Sequence, residues 1–166
     1  MSDLAVRVAT AADLAAVDAL LARSYPALLK ADYAPSVMVA VLPLIARANP
    51  ALVTCGSYFV AVTGGAVVGA GGWTRNAPSG GAEPGLGHIR HVVTDHSRQR
   101  AGIGRALLNE VKRSAAAAGM TRLECWSTLT AVPFYTAMGF APLGPLEVPI
   151  GPARIPFPSI RMIAAL

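Results

Sequence analysis

A single α/β domain built on one mixed sheet is what this sequence predicts, and three observations carry the prediction. The length of 166 residues suits one domain, which at that size buries roughly 70% of its unfolded surface without metals or disulfides. Hydrophobic residues make up 54% and charged residues 14%, a balance that excludes a disordered chain and calls for a large core. Short runs of strand character alternate with segments of helical periodicity, the pattern of a sheet covered by helices.

Ala5 to Ala9 alternates apolar and charged residues as a short strand. Thr10 then stands as a helix N-cap with Asp13 three positions on, an acidic capping box. The helix it opens is expected from Ala11 to Arg23, burying Leu14, Val17, Leu20 and Leu21. A second helix is expected from Pro35 to Arg47, bent or shortened at Pro43. Tyr58–Thr63 and Ala66–Trp73, joined at Gly64-Gly65, read as a hairpin. Thr74 to Gly85 holds too many Gly and Pro residues to be regular. Strand character returns at Gly87–Thr94, followed by a polar loop, 95–100, and a long helix from Ala101 to about Ala118. That helix buries Ile103, Leu107, Val111 and Ala115 and is capped by Gly119. A strand over Arg122–Ser127, a short helix over Ala131–Met138 ending at Gly139, and two strands near Leu146–Ile150 and Ile160–Ala165 complete the chain. Seven strands and four helices follow in one domain over residues 1–166, with no repeat or linker.

The longest aliphatic stretch, Val37–Ala46, contains Pro43 and is about half as long as a membrane-crossing helix must be. Asp3, Asp13 and Asp18 replace the basic start of a secretory signal, so a cytoplasmic location is expected. Cys55 and Cys125 are too few for a disulfide framework and have no His or Cys at zinc-binding spacing; both read as reduced core thiols, with no metal. The net charge of +5 suits an anionic ligand, but the basic residues are dispersed and not interleaved with aromatics, which argues against nucleic acid.

In Gln99-Arg100-Ala101-Gly102-Ile103-Gly104 the glycines lie where a strand has ended and a helix begins. Such a helix start presents unpaired backbone N–H groups to an anion. Side chains at the glycines would hold phosphate oxygens off, and Arg100 and Arg105 can add charge-assisted hydrogen bonds. Taken alone, the two glycines serve equally to ease a tight turn. The hexapeptide has neither the Lys-Ser/Thr ending of an ATP-binding loop nor the third glycine of a dinucleotide fingerprint.

The hexapeptide resembles the Gln/Arg-x-x-Gly-x-Gly/Ala motif of the GCN5-related N-acetyltransferase (GNAT) superfamily. Ile89-Arg90-His91-Val92-Val93-Thr94 resembles that family's fourth strand, and Ala131 to Phe140 resembles its Ala-x-x-x-Tyr-x-x-x-Gly-Phe segment. The resemblance implies a GNAT-like sheet splayed between the fourth and fifth strands, with acetyl-CoA as cofactor. It implies that the loop from Gln99 to Gly104 holds the pyrophosphate, and that Val92, Val93 and Thr94 pair with the pantetheine arm. Thr128 occupies a position where many members carry Asn; its hydroxyl can donate to the cofactor over a shorter reach.

The implied reaction moves an acetyl group from acetyl-CoA directly to a primary amine in a ternary complex. Such a transfer needs a deprotonated amine, a stabilised oxyanion and a proton for the thiolate. In the family the tyrosine matching Tyr135 lies beside the thioester sulfur, which makes it the candidate acid. Glu124 is the candidate base, expected on one face of its strand with Trp126; His88, His91 and water compete with it. Acceptor specificity in the family comes from the first two helices and neighbouring loops, here apolar with Tyr25, Tyr33, Met38 and Tyr58. With Asp32 the only acid between Asp18 and Glu83, the pattern points to a small, partly hydrophobic amine or a peptide N-terminus. A non-catalytic acetyl-CoA sensor or scaffold is the alternative, and a homodimer through the apolar C-terminal strands is left open.

Overall fold

A computed structural model describes residues 3–166. It opens with β1 (Ala5–Val8), a 3-10 turn over Ala11–Asp13 and α1 (Leu14–Leu29). The Thr10 N–H donates to Asp13 Oδ2 at 2.8 Å, the expected reciprocal cap. α1 runs past the expected end at Arg23 and through Pro26. The proline removes one backbone donor, yet Tyr25 and Leu29 beside it are buried, and that packing carries the helix on. α2 (Pro35–Ile45) follows, and then a single turn, α3 (Pro50–Val53), that the sequence pattern did not disclose. Asn49 caps it by accepting from the N–H groups of Ala51 and Leu52.

β2 (Tyr58–Thr63), β3 (Ala66–Thr74), β4 (Leu86–Thr94), α4 (Ile103–Ala117), β5 (Arg122–Thr128), α5 (Val132–Ala137), β6 (Ala141–Ile150) and β7 (Ile155–Ala165) complete the chain. The seven strands form one sheet in the order β1-β2-β3-β4-β5-β7-β6. Among the described residues the α-helices thus number five rather than the expected four, the addition being the one-turn α3. β6 and β7 begin five residues earlier than expected because prolines at 142, 145, 149, 156 and 158 mask their strand character. β6 lies at the sheet edge, where a missing N–H costs least. Pro156 and Pro158 precede Ser159, where pairing of β7 with β5 begins.

Two cores sandwich the sheet. On one face α4 and α5 pack Leu107, Leu108 and Tyr135 against Leu123 and Met162. On the other, α1 and α2 pack Leu20, Tyr25 and Val41 against Tyr58, Val60 and Phe157. Among the described residues only β4 and β5 are parallel neighbours, and they pair at just three positions, the last being His88 with Glu124. Beyond it the strands diverge, as the family resemblance implied, and the gap they leave positions the site.

Candidate active site

A cleft of about 760 Å³ fills this gap. Its walls are the end of β4, the loop from Arg98 to Gly102, the first turn of α4, the α1 residues Tyr25, Leu28 and Leu29, and the start of α5. Val92, Val93, Thr94, Gln99, Arg100, Ala101, Gly102, Ile103, Gly104, Arg105, Thr128 and Tyr135 all line it.

At the loop, Arg100 and Gly102 both adopt left-handed backbone, with φ of 62° and 78°. This turns the chain into α4, which starts at Ile103 rather than Ala101 and has no side-chain cap at Gly102. The N–H groups of its first turn therefore lack intrahelical acceptors and lie along the cleft at the positive end of the helix dipole, an arrangement able to take an anion. The two glycines act differently. Gly102 has open space where a Cβ would stand and is required by its φ, whereas a Cβ on Gly104 would meet Phe134 Cε1 at 2.9 Å. The second glycine lets α5 close against α4.

At the other wall, β4 bulges at His91 and Val92, opposite Gly71 of β3. A Cβ on Gly71 would lie 2.7 Å from Val92 Cγ2, so glycine admits the bulge. His91 takes a φ of 51°. Its carbonyl accepts from Tyr58 Oη at 2.8 Å, the Val92 carbonyl accepts from Tyr25 Oη at 3.3 Å, and its ring Nε2 lies 2.8 Å from the Ile45 carbonyl oxygen. Three side-chain contacts thus hold two consecutive peptides in an arrangement a regular strand would not adopt. Tyr135 closes the cleft from α5, buried between the edges of Phe134 and Phe140. Burial holds its phenol well above the ordinary tyrosine range, and so protonated. Burial likewise pushes up the neighbouring Cys125 thiol.

A family model for the acetyltransferase (GNAT) domain matches residues 51–152. This chain belongs to the GNAT acetyltransferase family. Solved structures with the same fold include a GCN5-related N-acetyltransferase from Rhodopseudomonas palustris, 18% identical, TM-score 0.75, covering 100% of this chain and 98% of that one. The PaiA N-acetyltransferase from Thermoplasma acidophilum in complex with coenzyme A is 10% identical, TM-score 0.73, with 99% of each chain covered. N-acetylglutamate synthase from Neisseria gonorrhoeae, complexed with coenzyme A and N-acetyl-glutamate, is 16% identical, TM-score 0.63, over 100% of this chain and 36% of that one. A search of curated proteins returns no match. Among the described residues no helix is long and apolar enough to cross a membrane.

In this GNAT domain the candidate bases stand apart from the cleft lining. Glu124 lies on the α1–α2 face with Trp126, as strand alternation requires, and is buried. Trp126 Nε1 donates to its Oε2 at 3.1 Å and Arg161 Nε to its Oε1 at 2.9 Å. His88 Nδ1 is 3.7 Å from Oε2. His91 is tied to the Ile45 carbonyl oxygen, and burial lowers the pKa of both imidazoles. Thr128 lines the cleft, but its Oγ1 also accepts the Ala131 N–H at 3.2 Å, capping the entry to α5.

The tyrosines read as an acceptor wall belong largely to the core. Tyr58 is fully buried, and Tyr33 stacks on Phe157 at 4.5 Å while its hydroxyl bridges Pro158 and Leu129. Tyr25 alone of the four residues, Met38 included, lines the cleft. The sequence reading named Tyr25 but set it beyond a helix expected to stop at Arg23, whereas α1 runs on to Leu29; the pair Tyr25 and Leu29, four apart and both apolar, was the signal for one more turn. Asp32 accepts a hydrogen bond from Thr130 at 2.7 Å. Cys55 is exposed rather than a core thiol, while Cys125 is buried as expected.

Proposed function

We propose that this GNAT protein transfers an acetyl group from acetyl-CoA to a primary amine within a ternary complex. The observation that carries the reading is that one cleft joins the unpaired N–H groups at the start of α4 to the buried phenol of Tyr135. The first-turn N–H groups, with Arg100 and Arg105, suit the pyrophosphate. The free edge of β4 at Val92–Thr94, unpaired on its β5 side, suits the amides of the pantetheine arm, and Thr128 borders the same path. The coenzyme A complexes of the Thermoplasma and Neisseria proteins support a coenzyme A ligand in this fold.

In the reaction the amine nitrogen forms a bond to the thioester carbon while the C–S bond breaks, and the departing thiolate takes a proton. Tyr135 supplies that proton. Its raised pKa does not oppose the step, because a thiolate in the same dry site is also disfavoured, as Cys125 beside it illustrates. The amine loses its proton to Glu124 through water, since Glu124 stands outside the cleft lining. A small amine or a peptide N-terminus is the acceptor.

Thermal unfolding with acetyl-CoA followed by thiol release across an amine panel tests this. A ligand at a hundred times its dissociation constant adds about 2.7 kcal/mol. Absence of any shift overturns the cofactor assignment; a shift without thiol release from any amine favours a sensor.

A further inference from the structure

The α1–α2 face of β4 carries a cation that no described residue neutralises. Arg90, one residue before the bulge, is partly exposed and makes a single neutral hydrogen bond, to Thr74 Oγ1 at 3.1 Å. Among the described residues no carboxylate reaches it within ion-pair distance. Two residues away on the same face, His88 is 5% exposed, and its Nδ1 is buried with no hydrogen-bond partner. Leaving a buried polar nitrogen unpaired is costly, so such an atom calls for a partner, which no described residue supplies within hydrogen-bond distance.

The one carboxylate nearby is already paired in charge. Glu124 sits across from His88 in the last paired position of β4 and β5, its Oε2 3.7 Å from His88 Nδ1 and so beyond hydrogen-bond reach, while its two oxygens accept from Arg161 and Trp126. The local balance is therefore a neutralised Glu124, an unpaired guanidinium and an orphan imidazole nitrogen, all at the point where the strands part.

We propose that Arg90 and His88 form an anchor for a carboxylate on the acetyl acceptor, which makes the acceptor an amine that also bears a carboxylate, such as an amino acid. Arg90 donates guanidinium N–H groups to it, and His88 in its neutral Nδ1–H tautomer donates a third bond. The anchor lies just before the bulge, so an amine on the same small molecule extends towards the splayed gap that ends at Tyr135. This assignment rests on the acetyl-transfer reading for its purpose, but not for its test. A polyamine, cationic throughout, would meet Arg90 unfavourably.

The test compares paired probes on the full chain saturated with coenzyme A: a panel of amino acids of differing side chain, each beside its own carboxamide, with dissociation constants from calorimetry. At least one amino acid binds about tenfold more tightly than its carboxamide, as loss of a charge-assisted pair predicts. In Arg90→Gln that ratio falls towards one, and in His88→Phe it falls part of the way. Equal affinity throughout the panel for wild type, or a ratio unchanged in Arg90→Gln, overturns the anchor. The wild-type comparison decides the matter if neither variant folds. Because binding is read without turnover, thiol release that fails while the ratio holds would sink the enzyme reading and leave the anchor standing.

Discussion

Gly104 and Phe134, thirty positions apart in the chain, share one space: a Cβ on Gly104 would stand 2.9 Å from Phe134 Cε1 and 3.1 Å from its Cζ. The glycine motif that opens α4 and the tyrosine motif are thus halves of one contact, in which α5 is seated against the start of α4. Gly104→Ala moves the Phe134 ring. That ring is only partly buried and yields, and alanine's better helix propensity offsets part of the cost, so stability changes by less than about 1 kcal/mol. Acetyl-CoA affinity falls, because the displaced ring lines the cleft. Calorimetric titration beside a denaturation curve checks both halves.

Tyr135→Phe lowers turnover about a hundredfold, the lower range for loss of a general acid, while the dissociation constant for acetyl-CoA stays within about twofold because the removed hydroxyl serves the transition state. Unchanged turnover with a good acceptor removes Tyr135 from the mechanism.

Tyr58→Phe strips the donor from the His91 carbonyl in a fully buried setting, at a cost of about 1–3 kcal/mol. The loss is concentrated at the bulge. Backbone amides of Val92 and Val93 exchange faster than in wild type, with β1 unaffected, in a hydrogen-exchange measurement.

The hydrogen bonds from Arg7 hold the Asp13 carboxyl down at about 2. A carboxyl depressed on folding adds stability above its unfolded pKa near 4, and that stability is lost as pH falls through about 2. Arg7 is half exposed, so the contribution is about 1 kcal/mol rather than the full value of the shift. Asp13→Asn loses it at pH 7, and the difference from wild type vanishes in urea titrations carried down to pH 2.

The fold class, the strand order along the chain and the uncapped helix start at Gly102 were legible in the sequence because each rests on local physics. Period-2 and helical patterns mark strands and helices, and Gly102 at the head of an amphipathic helix announces an open helix N-terminus. The proline-rich β6 and β7 were shortened by the same local reading, since an edge position that tolerates proline is a property of the assembled sheet. The partners of the buried groups were beyond it too. Strand alternation put Glu124 with Trp126, but only tertiary pairing gave Arg161 to Glu124 and, among the described residues, left Arg90 without a carboxylate and the His88 Nδ1 without a hydrogen bond. Local sequence sets backbone preference over a few residues. Which charges are neutralised, which tyrosines are core, and where two parallel strands part depend on residues brought together from across the chain.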